Sequence, residues 1–352
     1  MSKFSNGLEN NDPMKLELDA LKKRNNISAR EIQKLNEQVD RLTKTIESSE
    51  QILSQNLQPP TWLAPAKPKK SSATLVVMLS DTHFDEVVVP EEVDFLNAYN
   101  RTIATMRLQK WTENVIKVSR HYLSGVTYDG VFLILGGDIF SGDIHEELHD
   151  TNASTMLDSL LYWSEQLTAS ISLLAEEFGK VHITSVVGNH GRTTRKPRMK
   201  LRVKTNYDWL VTKMIERYFE KDNRVTFQIP EGADSLVSIY GYGQLITHGD
   251  QASGGGGIGG IWPPIMRLRA RKAQRYLATE SNFQTMWCGH WHQLVQTPSL
   301  IINGSLKGVD EYAFINNFSF EQPQQALAVI TPERGITIQA PIFCADRKAE
   351  GW

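Results

Sequence analysis

Three apolar, β-rich runs end in a small turn followed by residues that can bind a metal ion. LVVMLS runs into Asp81-Thr82-His83, VFLILG into Gly137-Asp138, and ITSVV into Gly188-Asn189-His190. A further pair, His290 and His292, flanks Trp291. Asp81 and His83 are two residues apart, as are His290 and His292, so at a strand end both members of each pair project to one face. A set of carboxylates and imidazoles suits Mn²⁺, Fe or Zn²⁺ better than Ca²⁺. Any one of these histidines alone would be an ordinary surface or structural residue; their convergence on strand ends argues for chemistry.

Such residues need a scaffold that gathers strand ends. LVVMLS, a helical pattern from Tyr99 to Tyr122, VFLILG, a second helical pattern from Thr151 to Phe178, and VHITSVV alternate as βαβ units do. That alternation predicts an α/β fold in which a sheet is covered by helices and the carboxyl ends of its strands share one edge, where open α/β folds build their sites. Later segments, Arg224 to Ile229, Ser235 to Thr247, Phe283 to Cys288, Ser299 to Ile302, Ala326 to Ile330 and Ile336 to Gln339, predict a second sheet, interrupted by a helix around Pro264 to Thr279.

Four segments, DTH, GGD, GNH and GHWH, with His248 in ITHGD between the last two, stand in the order of the motif series of calcineurin-like metallophosphoesterases, and the chain resembles that family from about Thr74 to Ala345. The resemblance implies a sandwich of two β-sheets flanked by helices. It also implies that Asp81, His83 and His292 hold one divalent metal ion, that Asn189, His248 and His290 hold a second, and that Asp138 bridges them. Mn²⁺ is favoured, with Fe, Zn²⁺ or Mg²⁺ as alternatives. Two such ions about 4 Å apart polarise phosphoryl oxygens and make hydroxide available near neutral pH. In the family the residue matching His190 is no ligand but faces the phosphate and protonates or stabilises the leaving oxygen. Many members follow their GNH with an acid that orients this histidine, whereas Gly191 and Arg192 follow here. Asp143 is the nearest candidate for that orienting role. GNHGR with a basic run also resembles enzymes encoded by tailed phages.

That run, Arg192 to Lys204, holds seven basic residues among thirteen. Because it is tethered to His190, its members Arg192, Arg195, Lys196, Arg198 and Lys200 are expected to border the phosphate site and bind substrate. Nucleic acid is therefore the favoured substrate and a nuclease the favoured activity; a small-molecule or protein phosphomonoesterase, or a non-catalytic coiled-coil assembly module, is the alternative. Two other patterns carry less. His145-Glu146-Glu147-Leu148-His149 matches HExxH of zinc proteases, but it directly follows the bridging candidate Asp138, and His145 or His149 is at most a cleft-rim residue. SGGGGIGG from Ser253 lacks the Lys and Ser/Thr of a phosphate-binding P-loop and suits a flap near the site.

The net charge of −2 over 352 residues excludes a global electrostatic attraction to nucleic acid or membrane, and 40% hydrophobic content is enough for a sizeable core. Cys288 and Cys344 are too few and too far apart for a disulfide framework or a thiolate zinc site. No signal-peptide pattern opens the sequence and no apolar run reaches membrane-spanning length, which together predict a cytoplasmic protein, in the host cytoplasm if phage-encoded, with no membrane partner. After a flexible start (1–13), residues 14–57 carry heptads with Leu18, Asn25, Ile32, Val39, Ile46 and Leu53 at a and Met14, Leu21, Ser28, Leu35, Leu42 and Ser49 at d, predicting a parallel coiled-coil homodimer. A proline-rich linker (58–73), the phosphoesterase domain (74–345) and a short tail (346–352) follow.

Overall fold

The computed structural model describes residues 14, 17–18, 21–22, 25–26, 28–40, 60–63, 72–254 and 260–352. The chain divides into two units, Met1–Gln58 and Pro59–Trp352. In the first, every described residue is helical, and the seam positions Met14, Leu18, Leu21, Ile32, Leu35 and Val39 are exposed. The heptads expected beyond Asp40, most of the proline-rich stretch, and residues 255–259 of the glycine-rich loop lie outside the described residues.

In the second unit the elements run β1 (Ser72–Leu79), α1 (Arg101–Lys117), β2 (Thr127–Leu135), α2 (Glu146–Thr151), α3 (Met156–Phe178), β3 (Val181–Ser185), α4 (Tyr207–Tyr218) and β4 (Val225–Gln228). There follow β5 (Asp234–Ile239), β6 (Tyr242–Thr247), α5 (Trp262–Leu277), β7 (Thr285–Cys288), β8 (Val295–Gln296), β9 (Leu300–Ile302), α6 (Glu311–Ile315), β10 (Gln324–Thr331), β11 (Gly335–Phe343) and α7 (Arg347–Glu350). Two sheets form, one of six strands in the order β11-β10-β1-β2-β3-β4 and one of five in the order β5-β6-β7-β9-β8.

The side-chain period of two decides the layering. Along β1, Leu75, Val77 and Leu79 join β2 residues Val131, Leu133 and Leu135 under Trp111 of α1 and Trp163 of α3. The alternate residues Val76 and Met78, with Phe132 and Ile134, pack against Ile246, Trp287 and Ile301 of the second sheet. The outer face of that sheet, Leu245, Met286, Cys288 and Ile302, is covered by Ile265 of α5. Both faces of β1 and of the inner end of β2 are thus buried, which is why LVVMLS and VFLILG are continuous apolar runs rather than alternating ones. The expected α/β sandwich of two sheets flanked by helices is present.

Three departures from expectation have physical reasons. β4 extends the first sheet because α4 supplies a crossover that lays it parallel to β3. β10 and β11 form an antiparallel pair, and β10 adds to the free edge of β1 rather than to the second sheet. The residues 346–352 are not a loose tail: Glu350 of α7 pairs at 2.9 Å with the fully buried Arg107 of α1. No described helix is long and apolar enough to cross a membrane.

Candidate metal centre

β1, β2 and β3 are parallel neighbours in one sheet, and β6 and β7 are parallel in the other, so five strand carboxyl ends reach the same edge of the sandwich. Asp81 and His83 follow β1, Asp138 follows β2, Asn189 and His190 follow β3, His248 follows β6, and His290 and His292 follow β7. Close approach of the turns needs glycine: at Gly137 (φ 89°) a Cβ would collide with Gly188 N. Five candidate ligands, Asp81, His83, Asp138, His290 and His292, themselves adopt left-handed backbone with φ between 44° and 70°. Asp and His tolerate this region better than most residues, yet each such residue stores on the order of 1 kcal/mol, and strain of this kind gathers at functional sites.

Three groups of ligand atoms come together, each within 4.8 Å: Asp81, His83 and His292; His83, Asp138 and His190; and Asp138, His248 and His290. Asp138 stands in two of them. His83 Nε2 and His292 Nε2 face one another at 3.1 Å, and His292 Nε2 lies 3.5 Å from Asp81 Oδ1. His248 Nε2 is 2.9 Å from Asp138 Oδ2. The Oδ1 atom of Asn189 is buried at this edge without a hydrogen-bond partner, which costs about 1–3 kcal/mol unless another acceptor-seeking group such as a cation is there. An oxygen and imidazole set with an orphaned amide oxygen fits divalent metal ions.

The hydrogen bonds behind these atoms fix their direction. His248 donates Nδ1–H to the Gly136 carbonyl at 2.9 Å, leaving Nε2 for the site. Asp81 Oδ1 accepts the backbone N–H of His290 at 2.7 Å, and Asp138 Oδ1 accepts that of His190 at 2.7 Å. Ser305 donates its hydroxyl to the Asp81 carbonyl at 2.9 Å. The charges respond to one another. Burial opposes it, yet the Asp138 carboxylate raises His248 to about 10, while His248 and His190 hold Asp138 well below the usual carboxylate range. Burial, with His248 adding to it, pushes His290 down to about 4, and burial, reinforced by Lys307, lowers His83.

His190 donates Nδ1–H to the Ser141 carbonyl at 2.8 Å, so that its Nε2 is the free ring atom. Asp143, expected in the orienting role, is exposed, and the acceptor at Nδ1 is a backbone carbonyl of the same loop. The HExxH match forms no cluster among the described residues. His145 lines the cavity, its ring 5.9 Å from that of His190, whereas the exposed His149 pairs with Asp150 at 3.0 Å.

A cavity of about 600 Å³ opens over the site. Its lining includes His83, Asp138, His190, His290, Trp291 and His292, together with residues between Ser305 and Gln322 such as Lys307, Tyr312 and Phe318. None of Arg192, Arg195, Lys196, Arg198 or Lys200 lines it. The Arg192 guanidinium is turned onto the carbonyls of Asn189, Thr194 and Arg195, and Arg195 is exposed beside Glu146 at 3.6 Å. Lys272 of α5 is buried against Asp234.

One supporting residue was missed. Asp208, buried in the first turn of α4, accepts backbone N–H groups from Gly188, Asp138 and Ile139 at 2.9, 3.0 and 3.2 Å. Its only sequence signal was Asn206, a helix N-cap whose amide also donates to the Gly188 carbonyl at 2.9 Å.

No family model and no curated protein matches the chain. Among solved structures it is similar to a conserved uncharacterized protein, described as a predicted phosphoesterase, from Streptococcus pneumoniae TIGR4, at 12% identity over 76% of this chain and 97% of that one, with a TM-score of 0.28. It is also similar to the sulfate thiohydrolase SoxB of Thermus thermophilus in complex with glycerol, at 9% identity over 78% of this chain, spanning 56% of that one, with a TM-score of 0.30. At these scores neither likeness bears on the reaction, which has to be argued from the side chains.

Proposed function

We propose that this chain is a dinuclear metallophosphoesterase of the calcineurin-like family that hydrolyses phosphodiester bonds, with nucleic acid as its substrate. The observation that carries this reading is Asp138, whose carboxylate belongs both to the group with His83 and His190 and to the group with His248 and His290. Asp81, His83 and His292 would hold one ion and Asn189, His248 and His290 the other, with Asp138 shared. Bound there, two divalent ions would supply Lewis acidity at the phosphoryl group and a hydroxide nucleophile near neutral pH.

The chain's own residues do the rest. The carbonyls of Gly136 and Ser141 hold the Nδ1 protons of His248 and His190, so that the first imidazole faces the site with Nε2, where a cation would displace the proton it shares with Asp138, and the second can carry a mobile proton at Nε2. His190, at the cavity wall beside His83, donates that proton to the leaving oxygen. The polynucleotide reading is supported by the basic run, which leaves His190 beside α2, whose residues Glu147 and Leu148 line the cavity. One observation favours a small phosphoester instead: the cavity lining includes Glu311 and Glu321, carboxyl groups with no cation paired to them among the described residues, which do not favour further phosphates.

The test is metal content and hydrolysis of a small chromogenic phosphodiester by the purified chain. Chelation should abolish turnover, Mn²⁺ should restore it, and Asp138→Ala should lose both ions together. An Asp138→Ala protein with normal activity and metal content would end the two-metal reading.

A further inference from the structure

We infer that Glu86, braced by Lys307 and Asp310, sets the ring tautomer of His83 and thereby its ability to bind a divalent cation; this rests on the metal-site reading above. Two other imidazoles of the site, His190 and His248, each donate Nδ1–H to a backbone carbonyl. His83 has none. Its Nδ1 is buried without a hydrogen bond, and 3.4 Å away lies Glu86 Oε2, also buried without one. Two complementary orphans therefore face each other behind a side chain whose Nε2 points into the ligand cluster. An imidazole coordinating through Nε2 must carry its proton on Nδ1, and Glu86 Oε2 is the acceptor placed for that proton.

The carboxylate is aimed from behind. Glu86 Oε1 accepts from Lys307 Nζ at 2.7 Å, and the same ammonium bonds to the Asp310 carboxylate. Lys307 is 2% exposed, and its carbonyl is pinned by Arg107 Nη1 at 2.5 Å and Asn97 Nδ2 at 2.9 Å. Arg107 is in turn held by Glu350. The backbone N–H of Glu86 bonds to the His83 carbonyl at 3.1 Å, so acid and imidazole share one turn. With an ammonium fixed on Oε1, only oxygen is tolerated there. A glutamine at this position must give its carbonyl oxygen to Lys307 and turn its NH₂ toward His83 Nδ1, which selects the tautomer with hydrogen on Nε2 and blocks the ligand atom.

Glu86 is thus a positioning residue, and the argument predicts a specific rescue. Glu86→Gln in the full chain should weaken the binding of one Mn²⁺ equivalent about 10- to 100-fold, the usual cost of a lost outer partner, while the other equivalent changes little. Adding Lys307→Met frees the glutamine to turn its oxygen to His83 and should recover most of that loss, which a merely structural role would not do. Titration calorimetry with Mn²⁺ measures both. In the unmutated metal-free protein, ¹⁵N shifts of the His83 ring should show the Nδ1–H tautomer, a readout that survives if a variant fails to fold. Unchanged Mn²⁺ affinity in Glu86→Gln, no recovery in a folded double variant, or an Nε2–H ring in the parent would each overturn the inference. A parent chain that binds no metal would instead defeat the metal-site reading itself.

Discussion

The Asp208 carboxylate accepts the backbone N–H of Asp138 at 3.0 Å across a separation of 70 residues. Through the same side chain it holds Gly188 and Ile139, so the turns after β2 and β3 are tied to the start of α4 by one buried acid. Burial, with the nearby Asp138 charge, pushes Asp208 up to about 6, while the backbone N–H groups it accepts favour its charged form.

Asp208→Ala leaves three backbone donors without this acceptor, and each buried donor left unsatisfied costs about 1–3 kcal/mol. The expected outcome is a lower melting temperature together with weaker metal binding, since Asp138 rides on the turn that is released. Calorimetry and metal analysis on the same sample check it. Normal metal affinity in a destabilised variant would make Asp208 a stabilising residue only.

For His190, replacement by Asn should leave metal content largely intact while turnover falls roughly 10² to 10⁴-fold, the range for a lost general acid. Asp143→Ala should be close to the parent, because the Ser141 carbonyl orients the ring. A fall in turnover for Asp143→Ala comparable to that of the His190 variant would return the orienting role to the acid.

The layers and the ligand turns were legible because buried strands leave continuous apolar runs and because Asp81, His83, Asp138 and the paired histidines follow them directly. The partner of His190 was not, since a backbone carbonyl has no residue signature and any amino acid at position 141 could supply it. Asp208 was hidden for a related reason: its partners are N–H groups of distant turns, and TNYDW shows only a helix start. β10 and β11 were recognised as strands yet assigned to the wrong sheet, because their apolar content records burial but not which free edge they pair with.

His182 gives a pH dependence away from the ligands. On β3 it is 3% exposed, its Nδ1 is 2.8 Å from Thr226 Oγ1, its Nε2 has no partner, and burial lowers it to about 4. A base whose folded pKa is depressed favours folding while neutral. The contribution is complete above the unfolded value near 6.5 and is lost as pH falls from there through 4, at about 1.4 kcal/mol per unit and about 3 kcal/mol in all. Denaturant titrations of the parent and of His182→Asn should therefore converge as pH drops from 7 to 4.5. A gap that stays constant over that interval would show that His182 does not titrate on unfolding.

The choice between polynucleotide and small ester turns on the exposed basic residues outside the cavity. Arg195, Lys196, Arg198 and Lys200 are exposed, and none lines the cavity over the candidate ligands, so a small phosphodiester bound there would not feel their loss. A polynucleotide is different, because its phosphates continue past the rim on either side of the scissile bond. Each phosphate paired with a Lys or Arg releases a counterion, so binding weakens steeply with salt and the slope counts the pairs. Changing all four residues to Gln should flatten the salt dependence of oligonucleotide binding and raise KM for oligonucleotide cleavage, while hydrolysis of a small chromogenic phosphodiester stays near the parent rate. Equal oligonucleotide cleavage by variant and parent at every salt concentration would make the run a solvated face. The cavity-lining acids Glu311 and Glu321 would then favour a small phosphoester as substrate.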